Sequence, residues 1–216
     1  LFWYPAGRII TAITLYPLAA YGCFSVMLGE HGVEKFLYQN FLPIFESWAQ
    51  SPKFQEALMQ SRQFAHEVTQ EQAGILADVA TRNFVFILPG MLILSWIVMI
   101  VVSGLWAQFA LMSNKMALRP TPRLDDFEVP SWLLPLFAIM ILLAKFYGGE
   151  VAYFARNTLL AFIVPYFVLG ASIFHMWAAQ TRHKVLMLVL FYTFMGLAYP
   201  VAFVALGGVL EPWLHL

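Results

Sequence analysis

Residues 84–112 read FVFILPGMLILSWIVMIVVSGLWAQFALM, a stretch without one Asp, Glu, Lys or Arg. A bilayer core about 30 Å thick is crossed by roughly 20 mostly apolar residues in a helix. This stretch is long enough to span with tilt or to extend past the membrane on one side. Working outward, four more segments have the same character: about Ile9–Leu28, Pro130–Tyr147, Val151–Gln180 and Val185–Leu210. The third of the five is short and carries Lys145 near its end. The chain is 61% hydrophobic and 11% charged over 216 residues, with a mean hydropathy of +0.73. Soluble domains are about 45–50% apolar and about 25% charged, so lipid is the natural solvent for this composition. The fold class expected is all-α, a polytopic bundle of about five spans forming one membrane domain.

Prolines 17, 89, 135, 165 and 200 fall inside these segments. In water each would argue for a helix break. In a bundle, neighbouring helices satisfy the freed carbonyls, so these prolines read as kinks. Lys and Arg cluster in alternate connections: Arg8 before the first span, Lys115, Arg119 and Arg123 after the second, Arg182 and Lys184 after the fourth. With five spans these lie on one side, and the positive-inside rule makes that side cytoplasmic. Leu1 is therefore expected in the cytoplasm and Leu216 outside, in a bacterial inner membrane. Trp3, Tyr4, Trp106, Trp132, Trp177 and Trp213 fall near span ends, where amphipathic rings favour the headgroup layer. The chain starts Leu1-Phe2-Trp3 without a methionine or a signal peptide, and further residues are expected before it.

Segment 29–83 is the substantial polar region and is expected outside the membrane as an amphipathic helical excursion. Leu37, Phe41, Phe45 and Trp48 form an aromatic stripe suited to a helix lying flat on the interface, broken at Pro43. From Phe54 to Val79, the positions Phe54, Leu58, Ser61, Ala65, Val68, Gln72, Ile75 and Val79 give a weak heptad-like seam. That seam suits either a helix packed on its own bundle or a docking surface.

Motifs for chemistry are mostly missing. There is no phosphate loop and no nucleophile elbow, and His66-Glu67 is followed by Gln70 where a zinc helix needs its second histidine. The single Cys23 excludes an intrachain disulfide framework, and zero net charge gives no nucleic-acid footprint. Neither an enzyme nor a cofactor is expected. Ionisable groups at membrane depth face a cavity, each other or the headgroups. The cluster Lys145, Glu150, Arg156 and Asn157 is thus the candidate polar site, either the mouth of an anion-attracting cavity or a set of snorkelling side chains with one ion pair to Glu150. His175 is a weaker candidate, for proton relay, ligand binding or a bond to a neighbouring helix. Ser103 with Ala107, and Ala198 with Ala202, permit close helix contact. The loop Arg119-Pro120-Thr121-Pro122-Arg123-Leu124-Asp125-Asp126 is locally stiff, and its basic residues suit an anionic lipid surface.

Several stretches carry a resemblance in combination: Trp3-Tyr4-Pro5-x-Gly7-Arg8, Leu88-Pro89-Gly90 with Ser95-Trp96, Leu124-Asp125 to Pro130-x-Trp132-Leu133, and Phe174-His175 with Tyr199-Pro200. Together they resemble a bacterial "predicted membrane protein" family, the YybS-like domain of unknown function, with this chain as its C-terminal part. That family is similar to the S components of energy-coupling-factor transporters. The resemblance implies binding of a small vitamin or metal from outside, with docking on a separate coupling subunit powered by ATPases. It carries no functional residue across. The expectation is a small-molecule-binding transport subunit without its own ATPase, which predicts a cavity near Glu150 and Arg156. The alternative is an accessory or scaffold subunit of a larger membrane complex, which predicts a filled core. The partners expected are the bilayer, other membrane subunits and a small-molecule ligand.

Overall fold

The computed structural model describes residues 6–60, 69–117, 127–196 and 199–214, and every described element is helical. The elements are α1 (Ala6–Leu28), α2 (Val33–Ala49), α3 (Pro52–Gln60), α4 (Gln70–Ser113), α5 (Leu133–Phe146), α6 (Gly149–Ala179), α7 (Lys184–Met195) and α8 (Tyr199–Leu214), with a short 3₁₀ turn at Gly29–His31. Trp3, Tyr4, Ser61, Ala65, His66, Glu67, Val68, Ala198 and the 119–126 loop lie outside the described residues, as does the Trp213 side chain.

Helix α6 is the centre: α1, α4, α5, α7 and α8 all pack on it. Tyr153, Phe162, Ile97, Leu133 and Val85 fill the middle of the bundle and are essentially inaccessible. Helices α1, α4 and α6 are long and apolar enough to cross a membrane. Helix α5 has 14 residues, about 21 Å, which is shorter than a bilayer core. The expected last span, 185–210, is not one helix: α7 and α8 meet at 115°. With 12 and 16 residues, about 18 and 24 Å, neither alone matches the hydrocarbon thickness.

The polar segment departs further from expectation. Pro43 does not break α2, which runs unbroken past it. Two rings of the aromatic stripe pack on α4. Phe41 and Phe45 pack on the Phe84 ring, with centroids at 5.1 and 5.5 Å, and Ala49 is buried with Ala73 and Ala77. Helix α2 therefore stands antiparallel along the first part of α4, as a two-helix extension of the bundle.

The heptad-like seam is interrupted because Thr69, in extended backbone, starts a new helix. Its hydroxyl accepts from the Gln72 amide at 3.3 Å and the Gln72 side chain accepts from the Thr69 amide at 3.1 Å, a complete capping box. Ile75 and Val79 then face outward, while Ala73, Ala77, Thr81 and Val85 form the buried stripe. Small residues at spacing four are what allow α2 to approach. Ser103 and Ala107 meet no such partner; both are exposed. Ala202 is exposed as well. Trp106, Trp132 and Trp177 are about half or more exposed.

Candidate functional site

Pro89 has no N–H, so the Val85 carbonyl one turn back loses its helical partner. The Tyr153 hydroxyl on α6 donates to that carbonyl at 2.6 Å. One residue on, the Gly90 N–H donates to Asn157 Oδ1 at 2.8 Å, and Asn157 Nδ2 donates to the Phe86 carbonyl at 3.3 Å and to its own Tyr153 carbonyl at 3.0 Å. The Asn157 carboxamide thus bridges the donor and acceptor that a regular helix would pair directly. It is fully buried, and each of its polar atoms is engaged. Gly90 is needed for this approach, because a Cβ there would stand 2.7 Å from Leu160 Cδ1 and 3.0 Å from Asn157 Oδ1. Partners rise together along both chains (85 with 153, 90 with 157), so α4 and α6 run parallel.

Glu150 does not form the ion pair expected of it. Its carboxylate accepts from the Val33 and Glu34 amides at 2.9 and 3.1 Å, capping the start of α2. A carboxylate at a helix N-terminus satisfies orphan N–H groups and complements the dipole. Gly32, at φ +64°, makes room: a Cβ there would lie 2.2 Å from Glu150 Oε1. Arg156 lies over the Phe86 ring at 4.8 Å, its Nε buried without a protein partner. Lys145 is exposed, 5.4 Å from the centre of the Phe146 ring. The four residues are therefore not one polar site. Two of them hold helices together, one rests on a ring and one faces outward. The hollows beside Glu150, about 250 and 290 Å³, are small.

A larger cavity of about 580 Å³ opens between α6, α7 and α8, lined by Gly170, Phe174, Trp177, Gln180, Phe191 and Gly207 among others. Its upper limit is set by two backbone contacts. A Cβ at Gly170 would stand 1.9 Å from the Val204 carbonyl oxygen, and one at Gly208 would stand 2.1 Å from that of Tyr166. The glycines let α6 and α8 touch main chain to main chain, and the cavity begins beside that contact. Among the described residues no charged side chain lines it. Helix α7 closes one wall through Phe191, its one buried residue, which stacks on Phe174 at 4.1 Å and 14°.

His175 also ties α6 to α7. Its Nδ1 is 2.8 Å from the Ala171 carbonyl, which can only accept, so Nδ1 carries the hydrogen; Nε2 then accepts from the Tyr192 hydroxyl of α7 at 3.1 Å. His175 thus bonds a neighbouring helix, one of the three uses open to it. Tyr153, Gly170, Gly208 and Phe191 escaped the sequence reading. Pro89 signalled a carbonyl needing a partner but not its address.

The chain belongs to the family described as predicted membrane protein (DUF2232), whose model matches residues 9–210. No curated protein and no solved structure matches it.

Proposed function

We propose that this member of a membrane-protein family is a small-molecule-binding transport subunit without its own ATPase, whose ligand sits between α6, α7 and α8. One observation carries the reading: a cavity of about 580 Å³ lies between α6 and the two helices, α7 and α8, that meet at 115°. Non-helical backbone at membrane depth is tolerated where it is buried in protein or lines a cavity, and transporter sites are often built at discontinuous helices. A volume of about 580 Å³ falls within the usual range for small-molecule sites. A wall of aromatic and aliphatic side chains with the amide of Gln180 suits a neutral, mostly apolar molecule with one hydrogen-bonding end. On this reading the ligand sits away from Glu150 and Arg156, near which the sequence reading expected a cavity. The role is binding rather than catalysis, and the resemblance to transporter S components points the same way. The inner membrane is the membrane proposed, with the Arg8 end of the bundle cytoplasmic, on the distribution of basic residues.

Gly207 offers the test. A Cβ there meets nothing within 4 Å, so Gly207→Leu fills the cavity without opening the helix contact. Protein extracted in mild detergent is analysed by native mass spectrometry and extraction of bound molecules. A non-lipid small molecule retained by the wild type and lost from Gly207→Leu supports the reading. Identical bound material in both sinks it.

The accessory-subunit reading is favoured by another feature. Along the second half of α4 the large side chains Val102, Leu105, Trp106, Phe109, Leu111 and Met112 are all exposed. Lipid or another subunit covers such a surface. Co-purification separates the two readings: a coupling subunit with ATPases supports transport, whereas a stable complex lacking any ATPase makes the chain a structural subunit.

A further inference from the structure

Two stretches singled out in the sequence, Gly7-Arg8 and Pro130-x-Trp132, take no part in the α6–α8 cavity. They meet at the opposite end of the bundle from Glu150. The segment 127–132 crosses the first turn of α1 so closely that a Cβ at Gly7 would stand 1.7 Å from the Glu128 carbonyl oxygen. Phe127, the first residue of that segment, is buried. Beside the crossing lies a hollow of about 400 Å³, lined by Arg8, Thr11, Leu15, Pro130, Ser131 and Trp132.

Arg8 is exposed, and among the described residues it has neither a hydrogen bond nor an ion pair; the neighbouring Glu128 carboxylate is not within salt-bridge distance of it. The Thr11 hydroxyl is already engaged, donating to the Gly7 carbonyl at 2.7 Å. A cation in the first turn of a helix also faces the positive end of the helix dipole, which an anion beside it would offset. Seven residues further along α1, about 10 Å deeper, the wall becomes apolar at Leu15. One end of the hollow thus suits a phosphate and the other a hydrocarbon chain, with a tryptophan at the level where such rings meet headgroups.

We propose that this hollow holds one anionic phospholipid. Arg8 pairs with the phosphate, the Ser131 hydroxyl and Trp132 indole lie at the glycerol level, and one acyl chain runs past Leu15. The ligand chemistry is a phosphate ester, and the lipid rather than a free phosphate supplies it. The site stands independently of the α6–α8 cavity.

The full chain, delipidated in a nonionic detergent, is titrated with dioleoyl phosphatidylglycerol, dioleoyl phosphatidylcholine or glycerol 1-phosphate and followed by native mass spectrometry. One phosphatidylglycerol is expected to bind several-fold more tightly than phosphatidylcholine. Arg8→Gln lowers that affinity about tenfold, as loss of a charge-assisted hydrogen bond does, while Arg8→Lys keeps most of it. Ala12→Leu, which narrows the same hollow without changing its charge, also weakens the lipid and guards against a folding artefact in the arginine variants. Equal retention of phosphatidylglycerol by wild type, Arg8→Gln and Ala12→Leu overturns the site. Glycerol 1-phosphate binding as tightly as the lipid overturns the lipid as its occupant.

Discussion

Helix α6 meets α4 and α8 in opposite ways. Against α4 the contact is made by side chains: Tyr153 and Asn157 complete the hydrogen bonding that Pro89 interrupts, and the space between is filled. Against α8 it is made by backbone, with Gly170 and Gly208 each seated under a carbonyl of the other helix. In lipid no hydrophobic force drives two apolar helices together, so association rests on close packing or on polar bonds. The two seams use one device each. The polar seam completes the bonding of a helix interrupted by proline; the glycine seam holds the helices close along one short stretch, and the cavity opens beside it.

The largest effect is expected from crowding the glycine seam. In Gly208→Leu the new Cβ would start 2.1 Å from the Tyr166 carbonyl oxygen, so α8 must move away. A loss of about 3 kcal/mol, at the upper end of overpacking costs, is expected from unfolding in mixed micelles. Gly207→Ala, one position away and facing open space, should melt with the wild type. Equal stability of Gly208→Leu and Gly207→Ala would show that α8 does not rest on α6 through backbone.

Breaking the polar seam comes next. Asn157→Leu removes the group between the Gly90 N–H and the Phe86 carbonyl and leaves both without their side-chain partner. Interhelical bonds in membranes average about 0.6 kcal/mol, but orphaned buried groups cost about 1–3, so a loss of about 2 kcal/mol is expected. Tyr153→Phe should cost less, about 1 kcal/mol, because it orphans one carbonyl. That variant also permits a sharper test. If the hydroxyl acts only where Pro89 frees Val85, the cost of Tyr153→Phe should largely vanish in a Pro89→Ala background, where the residue at 89 again has an N–H to donate. Additive losses in the double-mutant cycle would refute that account.

The two seams were also unequally legible. Hydropathy marked α1, α4 and α6 as spans because lipid imposes length and composition directly. Pro89 was readable as a kink, since its missing N–H is a property of the residue alone. That Asn157 serves it was not, because the pairing joins positions 67 apart and needs the parallel register of α4 and α6. Glu150 was flagged for its charge, yet its partners are backbone amides of α2, which a search for ion pairs does not find. The small-residue rule pointed to Ser103 and Ala107, which are exposed; it needs a facing helix, and Gly170 and Gly208 have one. Pro43 misled because α2 packs along α4 and tolerates the lost bond. In the fifth span Pro200 was readable as a kink, but composition does not reveal that α7 and α8 meet at 115°.

The outer pairing of α2 with α4 is a third seam, polar like that of Asn157 but wet. It lies before Phe84, outside the apolar part of α4. Asp78 accepts from Arg82 Nε at 3.0 Å and from the Tyr38 hydroxyl of α2, and these hydrogen bonds, that of Arg82 first, hold its carboxyl below the ordinary carboxylate range. A depressed folded-state value means the contribution is present above the unfolded value near 4 and is lost as pH falls through the lower folded value. The effect should be the smallest of those argued here, since the pair is exposed and water screens it. Limited proteolysis between α2 and α4 should therefore quicken modestly as the pH drops below about 4. Asp78→Asn should show the faster rate already at neutral pH and lose the pH step. A step of the same size in Asp78→Asn would assign it to another group, and the wet seam would then owe its hold to the Phe41, Phe45 and Phe84 rings alone.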